Sequence, residues 1–335
     1  MKTTDLLHRL RGRNNEGVLL AVIVALLIIM AVAAPGTLTA SFAGDILRSA
    51  IVNLALAMGL LMIIISGGFD VSFMAIAIFA GYATVQVMNT TGLDGTIWPF
   101  LAAAVIGGIL AIPNIILVGV YRIPTLIATL GTQTIIRGAL LAFVGSSYIA
   151  NIPDGLNQLG QTSLFNLGTS PVSVLVVPVL VIVIAVSFVL NRTYYGRSVY
   201  AIGGDPDAAS RAGVPVLRVQ TFLYLVSGII AGIAGLIHVT INRTANPFDL
   251  VGGELNVIAA VVIGGALDTG GRGSVKGTVL GVFLIALMQN SLIRLGVPSF
   301  WHTFAVGTVV LVGVTVQALS NRRARQSSPI LEGAA

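Results

Sequence analysis

Residues 50–72 read AIVNLALAMGLLMIIISGGFDVS, an apolar run that stops at a Gly-Gly pair and an aspartate. The run itself, 48–66, has about the 20 residues that an α-helix needs to cross roughly 30 Å of hydrocarbon. Comparable runs recur along the chain and predict about ten crossings, one of them short, at 17–34, 48–66, 72–88, 97–120, 124–144, 171–190, 219–240, 255–267, 274–295 and 301–319. The sequence therefore predicts an all-α polytopic membrane protein.

The composition agrees with that prediction. Of the 335 residues 56% are apolar and 9% are charged, and the mean hydropathy of +0.98 exceeds what a soluble core absorbs. The chain has no cysteine and its three histidines lie far apart in sequence, so we expect neither disulfides nor a metal site. These scattered histidines also argue against a membrane-embedded enzyme, which would need clustered acids, bases or metal ligands.

The basic residues predict the orientation of the chain. The net charge is +6, and most Lys and Arg residues fall in alternate loops and in the two tails, as the positive-inside rule requires. This places both termini in the cytoplasm and makes 145–170 an external loop. We expect residues 1–16 to be a cytoplasmic segment, 17–319 the transmembrane permease domain and 320–335 a cytoplasmic tail, with the first run retained as a span. No nucleic-acid binding is expected.

Glycine supplies a packing signal. Many of the 39 glycines stand in small-x-x-x-small spacing inside the runs, as in AGIAGLI (231–237) and GTVLGVF (277–283), which predicts closely packed helices. Two interruptions, SGGFDVS (66–72) and IGGALDTGGRGS (263–274), each place Gly-Gly just before an aspartate at the end of a run. Such paired breaks are typical of internally repeated transporters, so the chain is a candidate for an internal repeat.

One short stretch, GGDPDAASRAGVP (203–215), has the signals of a water-soluble helix within the loop of about 191–218. Asp205 suits the N-cap, Pro206 the first helical position and Gly213 the left-handed residue after the last turn. A helix of about two turns is not stable alone in water, so another surface must hold it. It is either a capped connector between two spans or a docking element for a cytoplasmic partner.

This loop, YGRSVYAIGGDPDAASRAGVPVLRVQTFLYLVSGIIAGIAGLI (195–237), resembles the permease subunits of ABC-type sugar importers of the ribose, xylose and arabinose branch. The blocks ELNVIAAVVIGGALDTGGRGSVKGT (254–278) and ATLGTQTIIRG (128–138) carry the same resemblance, and SGGFDVSFMAIA (66–77) does so more loosely. The chain departs from the family at Phe69, Val71, Phe73 and Met74, where Ile, Leu, Val and Gly are usual; bulk at Met74 would narrow an adjacent cavity.

The resemblance implies a bacterial inner-membrane subunit that moves a monosaccharide or related polyol by alternating access. Its implied partners are an external solute-binding protein, cytoplasmic ATPase subunits and a second permease chain, identical or related. The short helix would sit in a groove of the ATPase, through Asp205, Pro206, Asp207, Ala208, Ala209, Ser210, Arg211, Ala212 and Gly213. The chain has only two lysines and lacks a P-loop, so ATP and Mg²⁺ would bind to the partner.

Polar residues inside the runs are candidates for the solute pathway. Asp70 either lines it or caps the third span, and we favour the cap. Arg137 either serves a sugar pathway or extends to the outer interface, and the sequence does not favour one role over the other. The candidate pathway residues are Asp70, Asn53, Asn114, Thr132, Arg137 and Asn256. The three asparagines and Gln289 are also suited to hydrogen bonds between helices.

Two residues at predicted helix ends are candidate partner contacts. Glu254 would cap the eighth span or meet the external binding protein, with capping favoured. Arg272, in a cytoplasmic turn, would be a second ATPase contact or an orientation charge. An ion-driven secondary transporter and a branched-chain amino-acid permease remain alternatives. The former would carry several intramembrane carboxylates, whereas Asp70 alone lies clearly at such a break.

Overall fold

The computed structural model describes residues 16–298, 301, 303–308 and 311. The described chain is mostly helical, in the order α1 Glu16–Ala33, α2 Ala40–Ile65, α3 Phe73–Thr91, α4 Trp98–Val120, α5 Thr125–Val144, α6 Asp154–Gln161, β1 Ser163–Leu167, β2 Ser170–Ser173, α7 Val176–Arg192, α8 Tyr194–Gly204, α9 Pro206–Arg211, α10 Val216–Asn242, α11 Glu254–Ile263 and α12 Val275–Arg294. The last residues of α4 and α5, Ile115–Val120 and Leu140–Val144, are π-helical.

The all-α prediction misses one feature. Helix α6 and strand β1 lie in the predicted external loop and β2 starts at its last residue; the two strands form an antiparallel hairpin that pairs Leu167 with Ser170 across its turn. Gly168 occupies that turn with a φ of +62°, a conformation that glycine adopts without steric cost.

Six of the described helices are long and apolar enough to cross a membrane, namely α2, α3, α4, α5, α10 and α12. A seventh span results if α7 and α8, which meet at a bend of 71°, are taken together. The prediction of about ten crossings is therefore confirmed only in part. The predicted run 17–34 corresponds to α1, which is not among these spans, and the predicted run 301–319 lies mostly outside the described residues. The run 255–267 becomes α11, whose ten residues reach about 15 Å, half of the hydrocarbon thickness.

Helix α2 forms the centre of the bundle. Residues 54–65 are buried throughout, and α2 packs against α7, α10, α11 and α12. Helix α10 joins α2 to α3 and α4 on the other side. Because α2 is covered on every side along its second half, its sequence shows no amphipathic face there, which explains its continuous apolar run.

Close helix contacts use the predicted small residues. Gly232 on α10 packs on the backbone of Ala103 in α4, and Gly235 packs on the backbone of Ala77 in α3, where an added Cβ would overlap a carbonyl oxygen. Gly281 on α12 contacts the backbone of Ala260 in α11 in the same way. These pairs confirm the close packing that the glycine spacing predicts.

The two Gly-Gly interruptions meet in space. Gly271 donates its N–H to the carbonyl of Ile65 at 2.8 Å, and a Cβ on Gly270 would lie 2.7 Å from the Cα of Gly67. Gly203, at the end of α8, packs between Ile65 and Gly271. The ends of α2 and α8 and the loop after α11 therefore share one glycine-lined contact, which we call the glycine junction.

Candidate functional site

Helix α9 has the cap that its sequence predicts. The Asp205 carboxylate accepts hydrogen bonds from the N–H groups of Asp207 and Ala208, both at 2.9 Å, and Pro206 occupies the first helical position. Gly213 then has a φ of +85° and donates to Ser210, which ends the helix. Six helical residues are thus fixed by side-chain capping at one end and a glycine turn at the other.

The sequence predicts that all the alanines of the short helix contact a partner, but one of them is buried inside this chain. Ala209 is only 5% exposed and packs inside this chain, so its side chain is not available to another subunit. Ala208, Arg211 and Ala212 are exposed. The other residues of α9 are exposed as well, so its free face is the side that carries Ala208 and Ala212, while Ala209 packs on the bundle.

A cavity of about 310 Å³ lies beside α9, between it and the ends of α4, α5 and α10. Pro206, Asp207 and Ser210 line it from α9, and Arg122, which has a φ of +55°, lines it from the loop after α4. The end of the bundle that is predicted to be cytoplasmic thus carries a recess next to the free face of α9.

The predicted second contact, Arg272, lies in the exposed part of the loop that forms the glycine junction. The next residue, Gly273, accepts a hydrogen bond from the Tyr200 hydroxyl of α8 at 2.9 Å. This bond and the glycine junction connect α8, which precedes α9 directly, to the break in the second half of the chain.

Asp70 is not the N-cap of α3. Ser72 holds that position and makes no side-chain cap, while Asp70 Oδ1 accepts from both the N–H and the hydroxyl of Ser72 at 2.7 Å. The chain turns at Val71 and Ser72 before α3 begins at Phe73. This turn places the Asp70 carboxylate away from the N-cap position. Asp70 is 2% exposed and has no cationic partner among the described residues.

Asp70 begins a buried chain of polar side chains. The Asn114 amide on α4 donates to the Ser72 hydroxyl at 2.7 Å, and Asn114 Oδ1 accepts from the Thr132 hydroxyl on α5 at 2.6 Å. Asn114 is completely buried and Thr132 is 2% exposed. The break before α3 is therefore tied to α4 and α5 by side chains that satisfy one another away from water.

Two further residues adjoin this polar chain. Thr129 on α5 accepts from the Val71 N–H at 3.3 Å. Tyr224 on α10 lies within electrostatic range of Asp70, and its buried hydroxyl has no hydrogen-bond partner among the residues described. Sequence reasoning missed Ser72, Thr129 and Tyr224, since single hydroxyl residues in apolar runs carry no signal until the helices are packed.

A second polar cluster joins α5 to α11. Arg137 Nη2 contacts Glu254 Oε1 at 2.5 Å, and the Gln133 amide, one turn earlier on α5, donates to the same oxygen at 2.8 Å. The side chains of Arg137 and Glu254 are 21% and 10% exposed. We call Gln133, Arg137 and Glu254 the ion-pair cluster.

The ion-pair cluster bears on the predictions for Arg137 and Glu254. Arg137 stands 12 residues beyond Thr125, or about 18 Å along α5, and its guanidinium is held by Glu254 instead of extending to the outer interface. Glu254 follows the N-cap residue Gly253, whose Cβ position lies 3.1 Å from the Met74 side chain of α3. Glu254 therefore begins α11 inside the bundle, where it neither caps the helix nor offers a surface to an external protein.

The remaining candidates lie apart from these two clusters. Asn53 on α2 lines a cavity at the opposite end from α9 and Asn256 lies on α11, and neither side chain has a hydrogen-bond partner among the described residues. No group of three His, Asp or Glu residues in the described part of the chain could hold a metal ion. The polar chain from Asp70 is buried and satisfied within itself, whereas the ion-pair cluster is partly exposed and offers donors and acceptors to a polar solute.

Comparison with known proteins gives a family and a set of relatives. The model of a family described as "Branched-chain amino acid transport system / permease component" matches residues 42–314. The chain is similar to the Autoinducer 2 import system permease protein LsrC of Yersinia pseudotuberculosis serotype O:3 (strain YPIII), at 30% identity over 308 residues, 90% of this chain and 84% of the relative. LsrC of Yersinia pestis (strain Pestoides F) is 30% identical over 309 residues, with the same coverage. No solved structure matches the chain.

Proposed function

Because the chain belongs to the branched-chain amino acid transport system permease family, we propose that it forms the solute pathway of an ATP-driven importer of a monosaccharide or related polyol. It is a transport subunit and not an enzyme. We place it in a bacterial inner membrane, with an external solute-binding protein, cytoplasmic ATPase subunits and a second permease chain, identical or related, as partners. The name of the LsrC relatives adds autoinducer 2 to the solutes worth testing.

The ion-pair cluster is the observation that carries the solute pathway. Ionisable side chains inside a bundle are costly and mark substrate pathways in membrane proteins. Here the carboxylate of Glu254 accepts from Arg137 and Gln133, and the side chains of both charged residues are partly exposed, which supports placing the pathway beside them. A polyol that loses water needs donors and acceptors together, and this cluster supplies both.

The broken segments supply the moving parts of the proposal. Helix α11 begins at the ion-pair cluster, and the loop that follows it forms the glycine junction through Gly270 and Gly271, next to the end of α8 just before α9. A displacement of α9 by an ATPase subunit would therefore reach α11 through two packed contacts. In the proposed cycle, ATP binding switches the pathway between its two facings and hydrolysis resets it.

Stimulation of ATP hydrolysis tests the solute class. The complex of this permease with its ATPase and binding protein is reconstituted, and hydrolysis is measured with D-ribose, D-xylose, L-arabinose, hexoses, autoinducer 2 and branched-chain amino acids. We expect stimulation by one or more of the sugars or by autoinducer 2. Stimulation by leucine, isoleucine and valine alone would replace the sugar reading with the amino-acid alternative.

A further inference from the structure

A cavity of about 450 Å³, lined by polar and apolar side chains, opens at the end of the bundle that is predicted to be external. It lies between the first turns of α2 and the last turns of α10 and α12. Three amides line it, one from each helix: Asn53, Asn242 and Asn290. We call it the outer cavity. Its volume is within the range of small-molecule sites in proteins.

The outer cavity is lined by one carboxylate, Asp45, and one guanidinium, Arg48. Asp45 accepts from Arg294 through one carboxylate oxygen and from Ser170 through the other, both at 2.7 Å. Arg48 is the cation that lines the same cavity, and its guanidinium points a donor at the Ile241 carbonyl, 3.4 Å away. Both oxygens of Asp45 thus already accept from side chains of this chain. With one carboxylate and one guanidinium among its lining residues, the cavity has no excess of either charge that would favour an ionic solute.

The amides keep unused hydrogen-bonding capacity. Asn53 has no partner among the described residues, so its oxygen and its NH₂ group are both free. Asn290 donates to Ser49 and to the Ala286 carbonyl, and Asn242 donates to the His238 ring, which leaves the oxygens of these two amides as acceptors. Amides donate and accept in the same site, as hydroxyl groups do, and they therefore match a solute with several hydroxyls.

One strained turn of chain connects the lining of the outer cavity to Glu254 of the ion-pair cluster. Leu250 lines the cavity with a φ of +62°, a conformation that is rare for a branched residue. Its carbonyl accepts from the N–H of Gly253, and Glu254 follows directly. Strained residues persist where the surrounding structure holds them and they cluster at switch regions. Leu250 therefore separates the outer cavity from Glu254 by a single turn of chain.

From these contacts we propose that the outer cavity is the receiving site for a neutral, polyhydroxylated solute, one turn away from the ion-pair cluster. The inference rests on the proposed function, because it assigns the cavity to the same solute. It adds a second solute-binding site, with amides as its ligands, and it adds selection against charged solutes. It also makes the turn at Leu250 the barrier between the two solute-binding sites.

Cysteine labelling tests the site, since the chain has no cysteine of its own. Asn53→Cys is made in the complete complex in proteoliposomes and labelled by a methanethiosulfonate that does not cross the membrane. Asn157→Cys is the matched control, because Asn157 lines a separate polar cavity at the same end and is similarly half-buried. Asn290→Cys serves as a second probe if Asn53→Cys does not assemble. The solutes are D-ribose, D-xylose, xylitol, ribose 5-phosphate and L-leucine.

We expect a neutral sugar or polyol to slow the labelling of Asn53→Cys about tenfold when present at ten times its dissociation constant, and to leave Asn157→Cys unchanged. Ribose 5-phosphate and leucine should not protect. Equal protection by ribose 5-phosphate, or protection by leucine alone, would overturn the solute class. If the complex takes up a sugar that protects neither Asn53→Cys nor Asn290→Cys, the receiving site is wrong and the proposed function stands. If no solute of the panel is taken up under ATP, the proposed function fails separately.

Discussion

At the scale of single residues, the chain places its intramembrane charges in two different settings. Arg137 and Glu254 neutralise each other across α5 and α11. Asp70 instead lies among hydroxyls and an amide, without a cation among the described residues, and accepts only from Ser72. The first setting leaves partial exposure for a solute, whereas the second is closed and fixes the shape of the break before α3.

The ion pair gives a prediction for stability and transport together. Arg137→Gln or Glu254→Gln alone leaves one charge unpaired inside the bundle, so each single variant should unfold at lower temperature. The double variant should recover part of that loss, with a coupling free energy of about 0.5–3 kcal/mol. Transport should stay low in all three, because a solute site built on the pair is gone.

Thermal unfolding in detergent and ATP-driven uptake in proteoliposomes measure both effects. Gln133→Leu is the control that keeps the charges and removes one donor to Glu254. Full transport by the double variant would show that the pair only holds α5 to α11.

Asp70 gives a second prediction at this scale. Asp70→Asn keeps an acceptor for the Ser72 N–H and hydroxyl, so stability should be close to that of the parent chain. Asp70→Ala leaves a buried N–H unpaired and should cost about 1–3 kcal/mol. Thermal unfolding and uptake are measured for both. An Asn variant that is stable but inactive in transport would show that the charge itself acts in the cycle, contrary to a role in shaping the break.

At the scale of elements, helix α9 uses one residue to pack on the bundle and others to face outward, where a partner can contact them. Ala209 is buried in the bundle, and Ala208 and Ala212 face outward beside the recess formed with α4, α5 and α10. The capping of α9 was predictable from Asp205, Pro206 and Gly213, because caps are local. Which alanine faces inward was not, because it depends on how the loop folds back on α10.

Ala208→Glu therefore tests docking more cleanly than any change at Ala209. An unpaired charge buried in an interface costs about 3–5 kcal/mol, which weakens assembly by at least about a hundredfold. Co-purification of the ATPase subunit should fall while the permease itself stays folded. Ala150→Glu, an exposed alanine at the other end of the bundle, is the matched control and should assemble normally. Normal assembly of Ala208→Glu would make α9 a simple connector.

At the scale of the whole molecule, the two breaks that the sequence marks come together with α8 at the glycine junction. Their positions were predictable from Gly-Gly pairs at the ends of apolar runs. The pairing of Arg137 with Glu254 was not, since 117 residues separate them and each alone fits a simpler role. Six of the apolar runs became helices long enough to cross a membrane, whereas α11 is half a span because Gly264 and Gly265 end it early.

These features make one route from the predicted cytoplasmic face to the middle of the bundle. It runs from α9 and α8 through the glycine junction to α11, and α11 begins at the ion-pair cluster. This route transmits motion only if another polypeptide moves α9, because the chain has no phosphate-binding loop of its own. Dependence on a partner ATPase is thus the central claim.

Sugar uptake into proteoliposomes tests that claim most directly. Vesicles containing the permease alone, or the permease with its ATPase subunit and binding protein, are given ATP, a proton gradient or a sodium gradient in separate experiments. The predicted result is uptake only by the complete complex and only with ATP. Uptake by the permease alone, driven by either ion gradient, would contradict it and identify a secondary transporter.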